Sequence, residues 1–302
     1  MKAAVLDLGT NTFHLYIAEK QIDGSIIDIH KERRFVRLGK GGISKGEIAP
    51  DAYQRALATL SNYAQIIGEH GVETVRAMAT SALRSARNGA EFISEVKEKT
   101  GLELQIIDGD LEASYIFEGV CSDVEMGSQV ALVMDIGGGS VEFIIGQNSQ
   151  ILWKRSFEIG AQRLFDMFYP SDPIPAQSVV ELEKYAAETL QPLFEAINEW
   201  KPQFFIGSSG TFETLWDMAK PANGGNIILQ PQFAQIHQAL LRLEQAERLQ
   251  MPGMIPERVD MIVVASCLVD ILFNKLAPLT ELYVSKAALK EGIMASLMSS
   301  AH

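Results

Sequence analysis

The chain has 302 residues, of which 47% are hydrophobic and 21% are charged, and its formal net charge is −12 at pH 7. This composition is typical of a globular protein, and the length suits two domains that each have a core. The negative charge argues against a general nucleic-acid binder, because the phosphate backbone would be repelled. It does not exclude an anionic ligand where positive charge is concentrated locally.

Three features predict a cytoplasmic protein without a membrane partner. The first strand pattern reaches Asp7 after only a few apolar residues, so no signal peptide is predicted. The longest apolar stretch, 261–273, contains Asp270 and is too short to span a bilayer. Cys121 and Cys267 both lie in apolar surroundings and are expected to be reduced core residues.

The first half of the chain begins with three strand patterns and continues with alternating helices and strands. Apolar alternation between turn residues predicts antiparallel strands near 3–8, 13–19 and 25–36. Helical periodicity and breaker residues then predict a helix, a strand, a helix, a strand and a helix. Their approximate ranges are 51–70, 72–79, 89–99, 104–107 and 110–119. This order is the one expected of a ribonuclease-H-like domain.

The second half repeats the order and adds helices. Strands are predicted near 130–136, 141–147, 150–158, 203–207 and 281–285. Helices are predicted over about 176–199, 231–247 and 257–276, with a closing helix that ends near 299. A short polar gap at 123–127 predicts domains of 1–124 and 125–302. The closing helix belongs to the second domain in this division, and packing of this helix on the first domain is an alternative.

A glycine-rich hairpin, residues 133–146, is the most informative stretch. Its sequence, V-M-D-I-G-G-G-S-V-E-F-I-I-G, predicts a strand, a tight turn and a returning strand. Amides exposed in such a turn form an anion site. Asp135 and Glu142 are acids beside that turn, and they make sense there mainly if a divalent cation lies between them and a phosphate. The alternative is an ordinary hairpin with a surface acid.

A second copy of this pattern opens the chain. Residues 5–18 superimpose on 133–146 at a constant offset of 128, which matches Asp7 with Asp135 and Thr12 with Ser140. The two hairpins imply two related halves facing one ligand. At this point the chain resembles the actin, sugar-kinase and heat-shock-chaperone superfamily. That resemblance implies an α/β fold of two ribonuclease-H-like, actin-like ATPase domains with an active-site cleft between them.

Segments between the hairpins narrow the resemblance. Residues 79–88, A-T-S-A-L-R-S-A-R-N, and 106–113, I-I-D-G-D-L-E-A, are similar to motifs of the exopolyphosphatase and guanosine pentaphosphate phosphatase family. The glycine hairpins and the segments 207–211 and 289–292 fit the same family. The chain departs from the family pattern at Val141, where threonine is usual, and at Lys290, where arginine is usual.

The resemblance assigns catalytic roles to two residues. It matches Glu112 with the glutamate that activates the attacking water, whereas by itself a first-turn glutamate is common because it complements the helix dipole. Arg84 would offer a planar fork to phosphate oxygens, or it is a solvated arginine. For Asn88 three readings stay open: it binds phosphate, orders its loop or caps the helix that begins at Gly89.

The resemblance also implies the ligands of a metal ion and of the phosphates. Mg²⁺, or another divalent cation, is expected at Asp135 and Glu142, with Asp7 as the corresponding acid of the first hairpin. The residues expected to bind phosphate through amides and hydroxyls are Gly9, Thr10, Asn11, Thr12, Gly137, Gly138, Gly139, Ser140, Ser208, Ser209 and Gly210.

These features predict an exopolyphosphatase that removes terminal orthophosphate from inorganic polyphosphate with a Glu-activated water. The alternative substrate is guanosine pentaphosphate, which the same family hydrolyses. A kinase of this fold and a polyphosphate- or nucleotide-sensing module without turnover are further alternatives. The sequence is compatible with a monomer and with a homodimer.

One segment is strongly basic in this acidic chain. Residues 31–46 contain six lysines and arginines against a single acid, Glu32. If the third strand extends through the segment, Arg33 and Arg37 share a face and Arg34 points away. A glycine-rich stretch, 39–42, could flex around a ligand. The segment is therefore either a polyphosphate track or a solvated edge strand whose charges deter aggregation.

Overall fold

The computed structural model describes residues 1–219 and 225–299. The chain divides into two compact units. Unit 1 comprises Met1–Gly119 and the C-terminal segment that begins at Leu289, and unit 2 comprises Val120–Ala288. The division falls slightly before the predicted boundary at residue 124, and the closing helix is grouped with unit 1.

Unit 1 contains a five-stranded sheet in the order β3-β2-β1-β4-β5. Strands β1 to β3 are antiparallel, whereas β4 and β5 run parallel to β1. The strands are β1 (Lys2–Leu8), β2 (Phe13–Lys20), β3 (Ile26–Arg34), β4 (Thr74–Ala79) and β5 (Leu104–Ile106). The helices are α1 (Pro50–Glu69), α2 (Ser81–Ser85), α3 (Gly89–Thr100), α4 (Gly109–Asp123), which crosses the division, and α12 (Leu289–Ser299).

Unit 2 contains a six-stranded sheet in the order β10-β11-β9-β6-β7-β8. The strands are β6 (Ala131–Ile136), β7 (Val141–Gln147), β8 (Gln150–Phe157), β9 (Phe204–Ser208), β10 (Ile227–Leu229) and β11 (Glu281–Val284). The helices are α5 (Ala161–Phe168), α6 (Ala176–Thr189), α7 (Gln191–Trp200), α8 (Ser209–Ala219), α9 (Gln230–Arg242), α10 (Gln245–Arg248) and α11 (Met261–Lys275). The predicted α/β class is confirmed.

Several predicted elements differ from the structure. The single helix predicted over 231–247 is two helices, α9 and α10, because the backbone is extended at Leu243. The single helix predicted over 176–199 is two helices, because Pro192 lacks an amide hydrogen and stands in the first turn of α7. β3 ends at Arg34 rather than at 36, and Arg37 has a left-handed φ of 52°. Strand alternation therefore does not reach Arg37, so the prediction that Arg33 and Arg37 share a strand face is wrong. The short elements α2 and β10 and the helix α8 are additional to the predicted ones.

The two glycine hairpins pair in the same register. Asp7 lies opposite His14 in the β1–β2 hairpin, and Asp135 lies opposite Glu142 in the β6–β7 hairpin, again 128 residues further along. The pairing with the third strand slips after Ile17 in unit 1 and after Ile145 in unit 2. The repeat seen in the sequence therefore extends to a β-bulge at the same place.

Each unit has its own core. In unit 2, every residue of β6 is buried, and so is every residue of β7 up to Gly146, as expected of strands covered on both faces. In unit 1 the core contains Phe13 and Tyr63, and the Tyr63 hydroxyl donates to the Phe13 carbonyl over 3.1 Å. Among the residues that the structure describes, no helix has the length and apolarity needed to cross a membrane.

Candidate active site

In unit 1 the predicted site residues follow the carboxyl ends of three neighbouring parallel strands, β1, β4 and β5. Backbone hydrogen bonds tie these ends together. The Thr80 amide donates to the Leu8 carbonyl over 3.3 Å, and the Ile107 amide donates to the Ala79 carbonyl over 3.0 Å. The first glycine turn, α2 and α4 therefore begin at one edge of the sheet, the edge at which α/β proteins bind ligands.

The first glycine turn joins β1 to β2. The Gly9 amide donates to the Thr12 carbonyl over 3.1 Å, and a Cβ at Gly9 would lie 2.9 Å from that carbonyl oxygen. A side chain at Gly9 would thus crowd the turn. Asp7 is the second-last residue of β1, and His14 lies opposite it on β2.

The loop after β3 braces this turn from one side. The Arg37 amide donates to the Asn11 carbonyl over 2.8 Å, and the Gly39 amide donates to the Thr10 carbonyl over 2.9 Å. The carbonyl groups of Thr10 and Asn11 therefore point toward the loop. Both of these contacts are made by backbone atoms.

Arg84 and Glu112 form an ion pair at the same sheet edge. The Arg84 Nη1 atom lies 3.1 Å from Glu112 Oε2 and also donates to the Ile107 carbonyl over 3.0 Å. Glu112 lies in the first turn of α4, where its amide donates to the Asp108 carbonyl over 3.0 Å. The sequence predicted roles for both residues, and the structure brings them together.

The burial of Glu112 determines what this ion pair can do chemically. Glu112 is only 6% exposed, although it is charged and lies near the start of a helix. A buried carboxylate is costly unless a partner charge and hydrogen bonds compensate, and Arg84 supplies both. The arginine fixes one carboxylate oxygen, so Glu112 has a defined orientation. An oriented carboxylate of this kind can accept a proton from a water molecule.

Asn88 is engaged by the protein backbone. Its Oδ1 accepts from the Ile48 amide over 2.9 Å, and its Nδ2 donates to the Ile48 carbonyl over 3.0 Å. The side chain makes no capping hydrogen bond to α3. Of the three readings left open for Asn88, these contacts correspond to the ordering of a loop.

In unit 2 two buried carboxylates lie side by side. Asp135 and Glu142 are opposite each other in the antiparallel ladder, so their side chains share one face of the sheet. They are 6% and 1% exposed. The Ser208 hydroxyl donates to Asp135 Oδ2 over 2.7 Å, and the Ser156 hydroxyl donates to Glu142 Oε1 over 2.7 Å.

This donor set fits Mg²⁺. Two adjacent buried carboxylates repel each other unless a proton or a cation lies nearby, and hard oxygen ligands suit Mg²⁺. No group of three or more His, Cys, Asp or Glu side chains that could hold a metal occurs within residues 1–219 and 225–299. An ion held by Asp135 and Glu142 would therefore complete its shell with water and phosphate, as Mg²⁺ commonly does.

The triple-glycine turn is held through its carbonyl groups. The carbonyls of residues 137–139 accept hydrogen bonds of 2.9–3.1 Å from the amides of residues 160–162 at the start of α5. Arg163 adds a fourth contact, since its Nε donates to the Gly139 carbonyl over 2.8 Å, and Glu158 pairs with the same guanidinium at 2.8 Å. Gly160 is needed for this contact, because a Cβ there would lie 2.4 Å from the carbonyl carbon of Gly138.

The bracing fixes the direction of the turn's amides. With the three carbonyls directed toward α5, the amide groups of Gly138, Gly139 and Ser140 are left without an acceptor among the described residues. Successive amides of this kind form a concave site for an anion. Phosphate binding by these amides stays a prediction from the sequence.

The turn from β9 into α8 adjoins Asp135. Ser208 ends β9 in register with Asp135, and Ser209 has a left-handed φ of 69°. The Arg258 guanidinium packs against Gly210, where a Cβ would lie 1.5 Å from its Nη2. Arg258 also donates to Thr214 Oγ1 over 3.0 Å. A largely buried cation therefore lies beside the Ser208–Gly210 turn.

Sequence reasoning missed Ser156, Arg163 and Arg258. Ser156 and Arg258 carry no local pattern, because their positions depend on strand register and on packing. A signal for Arg163 did exist. The stretch G-A-Q-R at 160–163 occupies the place after the third strand that R-L-G-K occupies at 37–40 in the first repeat, and both stretches bind their glycine turn.

Comparison with known proteins agrees with this fold. An exopolyphosphatase structure from Cytophaga hutchinsonii is 41% identical, with a TM-score of 0.93 over 100% of this chain and 99% of that one. Exopolyphosphatase 2 of Mycobacterium tuberculosis is 29% identical over 98% of both chains. A guanosine-5'-triphosphate,3'-diphosphate pyrophosphatase of Photobacterium profundum is also 29% identical over 98% of this chain, which spans only 59% of that relative.

The chain is thus an α/β protein of two compact units, each with one glycine hairpin. A model of the Ppx/GppA phosphatase family matches residues 17–301. The chain belongs to the Ppx/GppA phosphatase family, and the family predicted from its motifs is confirmed.

Proposed function

We propose that the protein is an exopolyphosphatase that releases orthophosphate from the end of inorganic polyphosphate. The observation that carries the proposal is the buried Glu112, held by Arg84 at the carboxyl ends of the unit 1 strands. Hydrolysis of a phosphoanhydride requires positioning, charge stabilisation and an oriented water rather than covalent catalysis. The residues described above can supply each of these.

In the proposed reaction, Glu112 orients a water molecule and accepts one of its protons. The water oxygen forms a bond to the terminal phosphorus while the anhydride bond to the rest of the chain breaks. The products are orthophosphate and a polyphosphate shorter by one unit. Amides of the glycine turns would stabilise the charge on the phosphate oxygens.

Asp135 and Glu142 would hold Mg²⁺ or another divalent cation. When bound, this ion would neutralise charge on phosphate oxygens. Ser208 and Ser156 orient the two carboxylates through hydrogen bonds of 2.7 Å. We therefore infer that these serines do not contact the ion and instead orient the carboxylates that would bind it.

Hydrolysis of guanosine pentaphosphate is the second candidate substrate reaction. The relative from Photobacterium profundum supports it, but this chain spans 59% of that protein and 98% of the mycobacterial exopolyphosphatase. Phosphate release from long polyphosphate and from guanosine pentaphosphate should be compared side by side. A higher kcat/KM for polyphosphate supports the proposal, whereas a higher value for guanosine pentaphosphate would replace it. Transfer of the terminal phosphoryl group to an added acceptor, in place of orthophosphate release, would indicate a kinase.

Glu112→Gln provides the test of the mechanism. The substitution keeps size and hydrogen bonding but removes the base, so kcat should fall by about two to four orders of magnitude. Binding of polyphosphate should persist. Glu118→Gln is a matched control, because Glu118 is exposed on the same helix and should leave turnover unchanged. Near-normal turnover of Glu112→Gln would remove this residue from the mechanism.

A further inference from the structure

The basic segment 31–46 separates into two parts with different surroundings. In the strand part, Lys31 pairs with Asp28 at 2.8 Å and lies over the Tyr16 ring. Arg34 pairs with Glu32 at 2.5 Å and donates to Asn62 over 2.6 Å. These charges are engaged within unit 1, so the strand part fits the reading of a protected edge strand.

The second part, residues 37–46, is called the basic loop here. At its start, the amides of Arg37 and Gly39 bind the carbonyls of Asn11 and Thr10, the predicted phosphate turn. A Cβ at Gly39 would lie 2.4 Å from the Thr10 methyl group, which shows how closely loop and turn pack. The basic loop is thus continuous with the turn.

The basic loop is anchored at its end as well. The Arg87 amide donates to the Gly46 carbonyl over 2.8 Å, and the Arg87 guanidinium donates to the Lys45 carbonyl over 3.3 Å. Arg87 follows α2, the helix that contains Arg84. The sequence predicts that the glycine-rich stretch 39–42 could flex around a ligand, and the structure shows that hydrogen bonds hold both ends of the loop. The backbone of the basic loop is therefore anchored at both ends next to the first glycine turn and α2.

Two lysines of the basic loop face solvent. Lys40 and Lys45 are exposed, and neither forms an ion pair with any residue in 1–219 or 225–299. Arg37 stands at the start of the loop, directly against the turn. In a chain of net charge −12, such a local concentration of cations favours a polyanion over a small neutral ligand.

We propose that the basic loop binds phosphate units of a long polyphosphate beyond those in the first glycine turn, through Lys40 and Lys45 and next to Arg37. The proposal rests on the proposed function and adds a determinant of chain-length preference. A long chain would bind both the turn and the basic loop. A short chain such as tripolyphosphate would bind the turn alone, because it lacks the further phosphates.

The test removes the two lysine charges and compares substrates. The double variant Lys40→Gln/Lys45→Gln should raise KM for long polyphosphate on the order of tenfold at low salt and leave kcat unchanged. KM for tripolyphosphate should stay as it is. Added salt should reduce the difference between variant and parent, because screening weakens exposed charges. Lys31→Gln is the matched control from the strand part and should change neither KM.

Direct binding separates this proposal from the proposed function. Binding of long polyphosphate to Glu112→Gln, with and without the two lysine substitutions, can be measured by calorimetry. Weaker binding on loss of the lysines supports the basic loop even if the parent protein hydrolyses no polyphosphate, a result that would overturn only the exopolyphosphatase proposal. Equal losses on long and short substrates, an equal loss with Lys31→Gln, or unchanged binding would overturn the basic loop.

Discussion

The two glycine hairpins share a backbone plan and differ in the residues placed on it. Strand register and bulge position repeat at an offset of 128. Opposite the aspartate that is second-last in its strand, however, unit 1 has His14 and unit 2 has Glu142. Only the second hairpin therefore presents a pair of carboxylates. The two hairpins therefore share strand register and differ in side-chain chemistry, and the metal site is proposed for unit 2.

The turns also differ in how they are braced. In unit 1, a loop binds two carbonyls of the turn through its backbone. In unit 2, the start of α5 binds three carbonyls through its backbone, and Arg163 adds a side-chain contact. The second turn is thus more completely constrained, which suits a site that must hold its amides at fixed positions around a charged group.

Replacing the residue opposite each aspartate tests whether only the unit 2 hairpin binds a metal ion. This replacement should have the largest effect. Glu142→Gln removes a proposed metal ligand, so the Mg²⁺ concentration for half-maximal phosphate release should rise by about tenfold to a hundredfold or more. His14→Gln at the matched position of unit 1 should leave that concentration unchanged. Mg²⁺ titrations of both variants provide the measurement. An equal shift in both would show that the two hairpins do not differ in metal binding.

Replacing one glycine in each segment that binds a glycine turn tests whether the unit 2 turn is the more constrained one. In Gly160→Ala the new methyl group would meet the backbone of Gly138 at 2.4 Å, so the turn itself must move. In Gly39→Ala the nearest atom is the Thr10 methyl group, a side-chain end. Overpacking typically costs about 1–3 kcal/mol, so kcat/KM should fall about tenfold or more for Gly160→Ala and less for Gly39→Ala.

Thermal unfolding serves as the control for the glycine variants. If Gly160→Ala lowers kcat/KM at a temperature where the variant remains folded, the loss reflects the position of the turn. A larger loss for Gly39→Ala than for Gly160→Ala would contradict the view that the unit 2 turn is the more constrained one.

The parts of the fold that follow strong local patterns could be predicted from the sequence. The β1–β2 and β6–β7 hairpins and helix α1 have clear periodicity and turn residues, and the structure places them where expected. The boundary between α6 and α7 at Leu190 is also marked in the sequence, by Pro192. The helical periodicity continues on both sides of this proline, so a single helix was predicted. Short elements such as α2 contain too few residues for a period to show.

The residues of the candidate site could be predicted from the sequence, whereas most contacts between them could not. Glu112 and Arg84 were recognised through motifs, but their ion pair joins residues 28 positions apart and depends on how α2 and α4 pack. The contact between Ser156 and Glu142 depends on the register between β7 and β8, which a single sequence does not specify. The buried Arg258 depends on tertiary packing against Gly210.

Unit 2 has a buried histidine, and its titration gives the smallest expected effect. His237 on α9 is 4% exposed, and its Nδ1 lies 2.8 Å from the Ser266 hydroxyl. Burial lowers the pKa of His237, and the charge of Asp270 opposes this only in part. Among the described residues, unit 1 has no buried histidine.

The sign of the pH dependence follows from the lowered pKa. An unfolded histidine titrates near 6.5, so below about pH 6.5 the unfolded chain binds a proton that folded unit 2 does not bind. The stability of unit 2 should therefore fall as the pH drops from about 6.5 toward the folded pKa, by at most about 1.4 kcal/mol per pH unit. Hydrogen exchange at pH 7.0 and 5.5, corrected for intrinsic rates, should show α9 and α11 losing protection before α1 does. His237→Asn should reduce that difference, and equal acid sensitivity of both units in the parent protein would refute the assignment.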